Sequence, residues 1–262
     1  MPPRQNPYGA FDIATRAATR STDLPTISPT EDEPRTCRLC SVRSNGICRV
    51  LDTSQLARLA RHTRSTRHEA GAEVFGDETD ITTYANVVSG VIKLMKVLED
   101  GRQQVVGLKF ANDFIGRIHA ASNALSAEAT SEVELCLVPR ALMEAMLEEN
   151  RPLERWLMKE TLRELDEARE WMVTLGRKSA AERVASFLYL IALHVNPELG
   201  SDTAPVEYDL PLTRSDMADF LGLSIETVSR QLTELRRLEI IVIHNKRHVR
   251  IPDTERLRQR AG

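Results

Sequence analysis

No stretch of this 262-residue chain approaches the roughly 20 consecutive apolar residues that a membrane-spanning helix requires. A helical membrane span is excluded on that ground, and no membrane partner is expected. The first residues lack an apolar signal-peptide core. Arg4, Arg16 and Arg20 resemble the basic residues of a transit peptide, but Asp12, Asp23 and the neighbouring prolines oppose that reading. The expected compartment is therefore the cytoplasm. A Gly-rich phosphate loop and a convincing nucleophile–base set are also missing, so the chain does not read as an enzyme. No internal repeat is evident. Cysteine is scarce, with four in all. In a reducing compartment clustered cysteines bind metal or do redox work more often than they form structural disulfides.

The net charge of −3 does not advertise nucleic-acid binding, but the average hides an asymmetry. Residues 213–262 carry ten Lys/Arg against seven Asp/Glu, whereas residues 144–170 carry nine acidic against five basic side chains. The composition, 42% hydrophobic and 28% charged, is ordinary for a globular protein. The length leaves room for two domains.

Residues 1–35 are rich in Pro, Thr, Ser and Arg without a sustained apolar period and read as a flexible tail. The cysteine segment follows, then a short helical stretch over 53–62 with Leu56 and Leu59 on one side. From about residue 67 to 139, Gly71, Gly76, Gly90, Gly101 and Asn112 punctuate short strand patterns, among them 84–88, 91–98 and 104–110. Regular short strands with Gly/Asp turns predict an antiparallel barrel or jelly roll. Helical periodicity spans 140–176. Leu165, Ala168, Met172 and Leu175 are spaced 3, 4, 3, the pattern of a two-helix seam in a homodimer, although packing within one domain would leave the same stripe. A further helix, 180–194, leads into a polar loop over 197–205. The expected fold class is α+β. Its parts are a cysteine segment with a β-roll (36–139), a dimerisation helix region (140–176) and a winged helix-turn-helix DNA-binding domain (177–255).

Three cysteines form a C-x2-C-x7-C segment, Cys37, Cys40 and Cys48, while Cys136 stands alone in a strand-like run. Four thiolates suit an iron–sulfur cluster or a tetrahedral zinc, and the spacing does not choose between them. A dithiol switch of Cys37 and Cys40 is a further reading. In the alternation of the last strand Val133, Leu135 and Leu137 share one parity and Cys136 takes the other, so Cys136 points away from the roll interior, towards whatever covers it. A mobile cysteine segment is expected to be that cover. Arg38, Arg43 and Arg49 lie beside the ligands, where they either offset a cluster's negative charge or serve surface solubility. Ile47 is placed to shield the site.

Residues 213–232 fit a helix-turn-helix. Thr213 caps the first helix, with Asp216 favourable at its N-terminus; Gly222 occupies the turn; Ser224 caps the second helix. Met217, Leu221, Leu223, Val228, Leu232 and Leu235 form the buried side. Glu226, Ser229, Arg230 and Thr233, at helical spacing, form the exposed face. Arg230 can bridge guanine O6 and N7, Glu226 can accept from a cytosine amino group, and Ser229 can approach a thymine edge. Strands over 240–244 and 248–251, joined through Asn245, Lys246 and Arg247, read as a wing with a basic tip that either contacts phosphate or is an ordinary solvated turn.

This order of parts resembles the Crp/Fnr superfamily of bacterial transcription regulators and, within it, the oxygen-sensing FNR group. The resemblance covers residues 37–255. It rests on the roll stretch from Ser89 to Gly116, on Ala180 to Phe187, and on Ile225 to Arg230, which is similar to the FNR recognition helix. The resemblance implies a [4Fe-4S] cluster held by Cys37, Cys40, Cys48 and Cys136, a dimer that forms under low oxygen, and RNA polymerase as a partner. It also implies recognition of an inverted TTGAT-type repeat by Glu226, Ser229 and Arg230. The gap before Cys48 is longer than in the best-known members. The cyclic-AMP-receptor branch adds an arginine where this chain has Ile225. The family's nucleotide binders place a Gly-Glu pair and a phosphate arginine in the roll. Here Gly116 precedes Arg117, and 125–129 contains Glu128 but no arginine, so no cyclic nucleotide is expected. His119, the one histidine in mid-roll, reads as a surface or core residue rather than a haem ligand.

Overall fold

A computed structural model of the chain describes residues 35–38, 40–196 and 205–262. The tail read over 1–35 and the polar loop read over 197–205 lie outside the described residues, apart from Arg35 and Pro205. The chain forms two compact units that divide between Ala168 and Arg169.

In the first unit the turn residues do separate short strands. These are β1 (Arg64–His68), β2 (Glu73–Phe75), β3 (Thr83–Ser89), β4 (Ile92–Val97), β5 (Gln103–Lys109), β6 (Phe114–Ile115), β7 (Ser126–Ala129) and β8 (Val133–Pro139). They make two antiparallel four-stranded sheets, ordered β1-β8-β3-β6 and β2-β7-β4-β5. One apolar cluster, including Ala85, Val87, Ile92, Ala127, Val133 and Leu135, takes a single parity of these strands and forms the roll interior. At the β3–β4 turn Gly90 has φ 86°, and a Cβ there would lie 2.3 Å from the Glu132 carbonyl oxygen. Gly90→Ala is expected to cost roughly 1–3 kcal/mol from backbone strain alone, with the clash added. Urea denaturation measures this, and a change below about 0.5 kcal/mol would show that the turn relaxes freely.

A second cluster lies on the other face of β3 and β8. It joins Val42, Ile47, Val50 and Leu51 of the cysteine segment to Leu56 and Leu59, to Tyr84, Phe114 and Val138 of the sheet, and to Leu153 and Trp156. Leu56 and Leu59 sit on helix Thr53–Ala60, whose N-terminus is closed by a capping box of Asp52 and Gln55. The cysteine segment is thus a packed cover with its apolar side chains buried, not the mobile one expected from its sequence. Helical structure over 140–176 is interrupted once, giving Arg140–Glu149 and Arg151–Arg177. Asn150 leaves the helical region at φ −126° and ψ 94°, and its side chain accepts the Leu153 N–H at 3.1 Å. Pro152 falls in the first turn, where a missing N–H costs nothing.

The second unit is built on helix Ala180–Val195, capped by Ser179 with Glu182 and buried without interruption from Val184 to Leu193. Around it stand helices Arg214–Leu221 and Ile225–Arg237 and a three-stranded sheet ordered β10-β11-β9, with β9 Val206–Asp209, β10 Val242–His244 and β11 His248–Ile251. The first of these strands and a last helix, Thr254–Ala261, were not anticipated. Phe220 packs edge-on against Trp171 at 4.5 Å and Phe187 at 5.7 Å. No described helix is long and apolar enough to cross a membrane.

Candidate metal centre and nucleic-acid interface

Cys37 lies in the helical turn Arg35–Arg38, Cys40 caps helix Ser41–Asn45, and Cys48 lies in the 3-10 turn Ile47–Val50. Short backbone bonds fold the segment on itself: Cys40 N–H to the Cys37 carbonyl at 3.2 Å and Arg43 N–H to the Cys40 carbonyl at 3.1 Å. A Cβ on Gly46 would lie 2.6 Å from Cγ1 of Val42, so any larger residue there would force Val42 to shift. Ser41 Oγ donates to the Val88 carbonyl at 3.2 Å, which ties the cover to β3.

Beneath the cover, Cys136 sits on the outer face of β8, directly opposite Ser65 on β1 and Asn86 on β3. All four cysteines line one cavity of about 640 Å³, together with Ser65, Asn86 and Arg43. Burial pushes the Cys48 thiol well above the ordinary thiol range, and the nearby Cys136, Cys37 and Cys40 push it further, while Arg43 opposes them. Burial likewise raises Cys136 to about 11, against a lowering contact with Thr63 and with further raising by Cys40, Cys37 and Glu134. The four sulfurs are therefore within electrostatic reach of one another. Among the described residues, however, no three His, Cys, Asp or Glu side chains are close enough to hold a single ion.

Two occupants take such a donor set. Zinc with Zn–S bonds of about 2.3 Å draws four sulfurs to within about 3.8 Å of each other. A cluster carrying an iron at each corner holds its thiolates further apart. Four cysteines around one cavity supply the all-thiolate donor set that either occupant takes. The three arginines expected to offset its charge divide. Arg43 is 2% exposed and donates to the Cys48 carbonyl at 3.4 Å, whereas Arg38 is exposed and Arg49 half-buried. Ile47 is buried as expected. His119 is a surface residue near Glu144. Asn86 was not singled out from the sequence; a polar residue on an outward parity looks like ordinary solvated surface until the cover is in place.

In the second unit Thr213 and Asp216 form a full capping box, with Thr213 N–H to Asp216 Oδ2 and Asp216 N–H to Thr213 Oγ1 both at 3.1 Å. Gly222 adopts the left-handed conformation at φ 60° and ψ 44° that turns the chain between the two helices. Ser224 Oγ accepts the Thr227 N–H at 3.2 Å. Met217, Leu221, Val228, Leu232 and Leu235 are buried as read, while Leu223 is only half-buried. Glu226, Ser229, Arg230 and Thr233 are all exposed on helix Ile225–Arg237. Backbone N–H and Ser224 contacts hold the Glu226 carboxyl below the usual carboxylate range, so it stays an acceptor. Arg237 is paired with Glu234 at 2.7 Å, but Arg230 makes no ion pair among the described residues. In the wing, Asn245 and Lys246 take positive φ at the hairpin tip. Arg247 is committed to the Leu210 carbonyl at 2.8 Å, and Arg214 donates to the Lys246 carbonyl at 3.1 Å; the Lys246 side chain is exposed. A helix presenting one guanidinium, one carboxylate and two hydroxyls beside a cationic wing is shaped and charged for a DNA major groove.

Residues 66–150 match the cyclic nucleotide-binding domain family and residues 182–260 the Crp-like helix-turn-helix domain family. The chain is similar to a probable transcriptional activator of Rhizobium leguminosarum bv. viciae, 48% identical over 224 residues that span 86% of this chain and 92% of the relative. It is similar to the transcriptional activator protein FnrL of Cereibacter sphaeroides, 40% identical over 229 residues that span 86% of this chain and 92% of that one. Among solved structures, FixK2 from Bradyrhizobium japonicum superposes with a TM-score of 0.68 at 30% identity, covering 76% of this chain and 98% of the other.

Proposed function

The chain belongs to the Crp/Fnr family of transcription regulators, and from that premise we propose that it is an oxygen-responsive cytoplasmic activator. It binds one [4Fe-4S] cluster per subunit through Cys37, Cys40, Cys48 and Cys136 and, as a homodimer, recognises an inverted TTGAT-type repeat. The observation that carries this reading is the convergence of four cysteines, from two distant stretches of chain, on a single cavity.

A bound cluster supplies an oxygen-labile inorganic centre. What the chain contributes is mechanical and electrostatic. Cys136 belongs to the sheet and the other three cysteines to the cover, so ligation from both sides clamps one to the other. The buried Arg43 guanidinium faces the same cavity and offsets negative charge there. On helix Arg151–Arg177, Met158, Leu162 and Leu165 expose apolar side chains in the first unit, and Met172 and Val173 do so in the second. A second copy of the chain covers these residues. Leu165, Ala168 and Met172 of the expected seam are exposed, whereas Leu175 is half-buried. Glu160 and Glu164 are paired inside the protomer with Arg163 and Lys109. On DNA, Glu226, Ser229 and Arg230 read the base edges of each half-site, and RNA polymerase is the partner that makes the bound dimer an activator.

A cyclic-nucleotide ligand is not part of this reading, although the roll shares that fold. Arg117, after Gly116, stands exposed and donates to the Ser122 carbonyl at 3.1 Å. Glu128 pairs with Lys93 across the sheet at 2.8 Å, while Ala127 and Ala129 fill the interior beside it.

Anaerobic purification of the full chain is expected to give a brown dimer containing iron and acid-labile sulfide, about four of each per chain. In air it should become colourless and lose affinity for the palindrome. A preparation without iron or sulfide that binds the palindrome equally well would refute the reading.

A further inference from the structure

Resting on the cluster reading, we propose that Asn86 is a positioning residue of that site: its side-chain amide donates a hydrogen bond to a sulfur of the bound cluster or to the Cys136 thiolate. Asn86 is 0% exposed. Neither its Nδ2 nor its Oδ1 finds a hydrogen-bond partner among the described residues. Burying an amide without partners is unfavourable, and sites that keep one do so for a ligand or a special role. The register puts Asn86 directly opposite Cys136, so the two side chains leave the sheet on the same face. Both line the same cavity with the other three cysteines.

The other polar neighbours are already committed. Across Cys136 on the opposite flank, Ser65 Oγ donates to Glu134 Oε1 at 2.8 Å. Arg43 donates to the Cys48 carbonyl. Thr63 already contacts the Cys136 thiol, so Asn86 is the neutral side chain on this cavity whose own hydrogen bonds are unmade, and the two ends of an amide exchange by simple rotation. A neutral donor suits the position. Hydrogen bonds to cluster sulfurs stabilise negative charge on them without adding a buried cation to a cavity that already holds Arg43.

The test uses the full chain reconstituted anaerobically with iron and sulfide, alongside Asn86→Leu, which removes the donor while keeping the same branched heavy-atom skeleton, and Asn86→Asp, which replaces it with a carboxylate. The Leu variant is expected to load to the same stoichiometry but to release iron to a chelator, without oxygen, about tenfold faster, the lower end of what a hydrogen bond to a charged acceptor represents. Its reduction midpoint should move to a more negative value. Asn86→Asp should load poorly, because it sets an anion against an anion. Metal-free Asn86→Leu should melt at or above the temperature of the unmodified metal-free chain, since it no longer buries an unpaired amide; a purely structural Asn86 would make it melt lower. Unchanged iron release and midpoint in the loaded Leu variant would overturn the role of Asn86 and leave the cluster reading standing. If the unmodified chain binds no iron or sulfide, both fall.

Discussion

Cys136→Ser should abolish stable cluster loading while the protein remains folded. Serine differs from cysteine by one atom and opens no cavity. The Cys136 side chain is half-buried on the outer face of β8, and the roll interior is filled instead by Val133 and Leu135. The strand keeps its pairings to β1 and β3, since these are made by backbone groups. What changes is the ligand: a soft thiolate is replaced by a hard hydroxyl that iron in a sulfide cluster binds weakly. In the proposed site Cys136 is also the sole ligand contributed by the sheet, so its loss would leave three ligands on the cover and remove the clamp. Iron and sulfide analysis together with a thermal melt reads both halves of the expectation. Full iron and sulfide in Cys136→Ser would show the ligand assignment to be wrong, and a collapsed melt would show Cys136 to be a core residue.

The other large effect is on DNA. Arg230→Ala should cost about 1–3 kcal/mol per half-site, or roughly 5- to 150-fold in affinity, and relax discrimination at one guanine. Arg230 is exposed and makes no ion pair among the described residues, so its guanidinium needs no internal bond broken before it binds. Arg237, by contrast, is held in a bidentate pair with Glu234 at 2.8 and 2.7 Å and should be far less sensitive. Binding titrations against the palindrome and single-base variants separate the possible roles. Equal weakening on every sequence, with a salt slope reduced by about 1, would make Arg230 a phosphate anchor instead of a base reader.

Much of this protein is legible in its primary structure because the signals involved are local. Alternation over 84–88 and 104–110, punctuated by residues that tolerate positive φ, is enough to place β3 and β5 to within a residue or so. The helix-turn-helix is legible for the same reason: Thr213, Gly222 and Ser224 act on backbone groups within three or four residues of themselves. Even the outward parity of Cys136 follows from strand geometry alone. Signals that are weak locally were missed. β9 alternates Val206 and Tyr208 with Glu207 and Asp209 but over four residues only, and helix Thr254–Ala261 buries just Thr254, Leu257 and Ala261, so both periods are too short to stand out.

The convergence of the cysteines could not be read this way. Val42, Ile47, Val50 and Leu51 show no period because the segment that carries them is a series of short turns, and its order comes from packing onto Tyr84, Phe114 and Val138, well removed in sequence. Only that packing brings Cys48 over Cys136, buries Arg43 while leaving Arg38 in solvent, and closes Asn86 away from water. Burial is a property of the surface that arrives from elsewhere in the chain, so the four cysteines are written in the sequence while the environment that surrounds them exists only in the folded molecule.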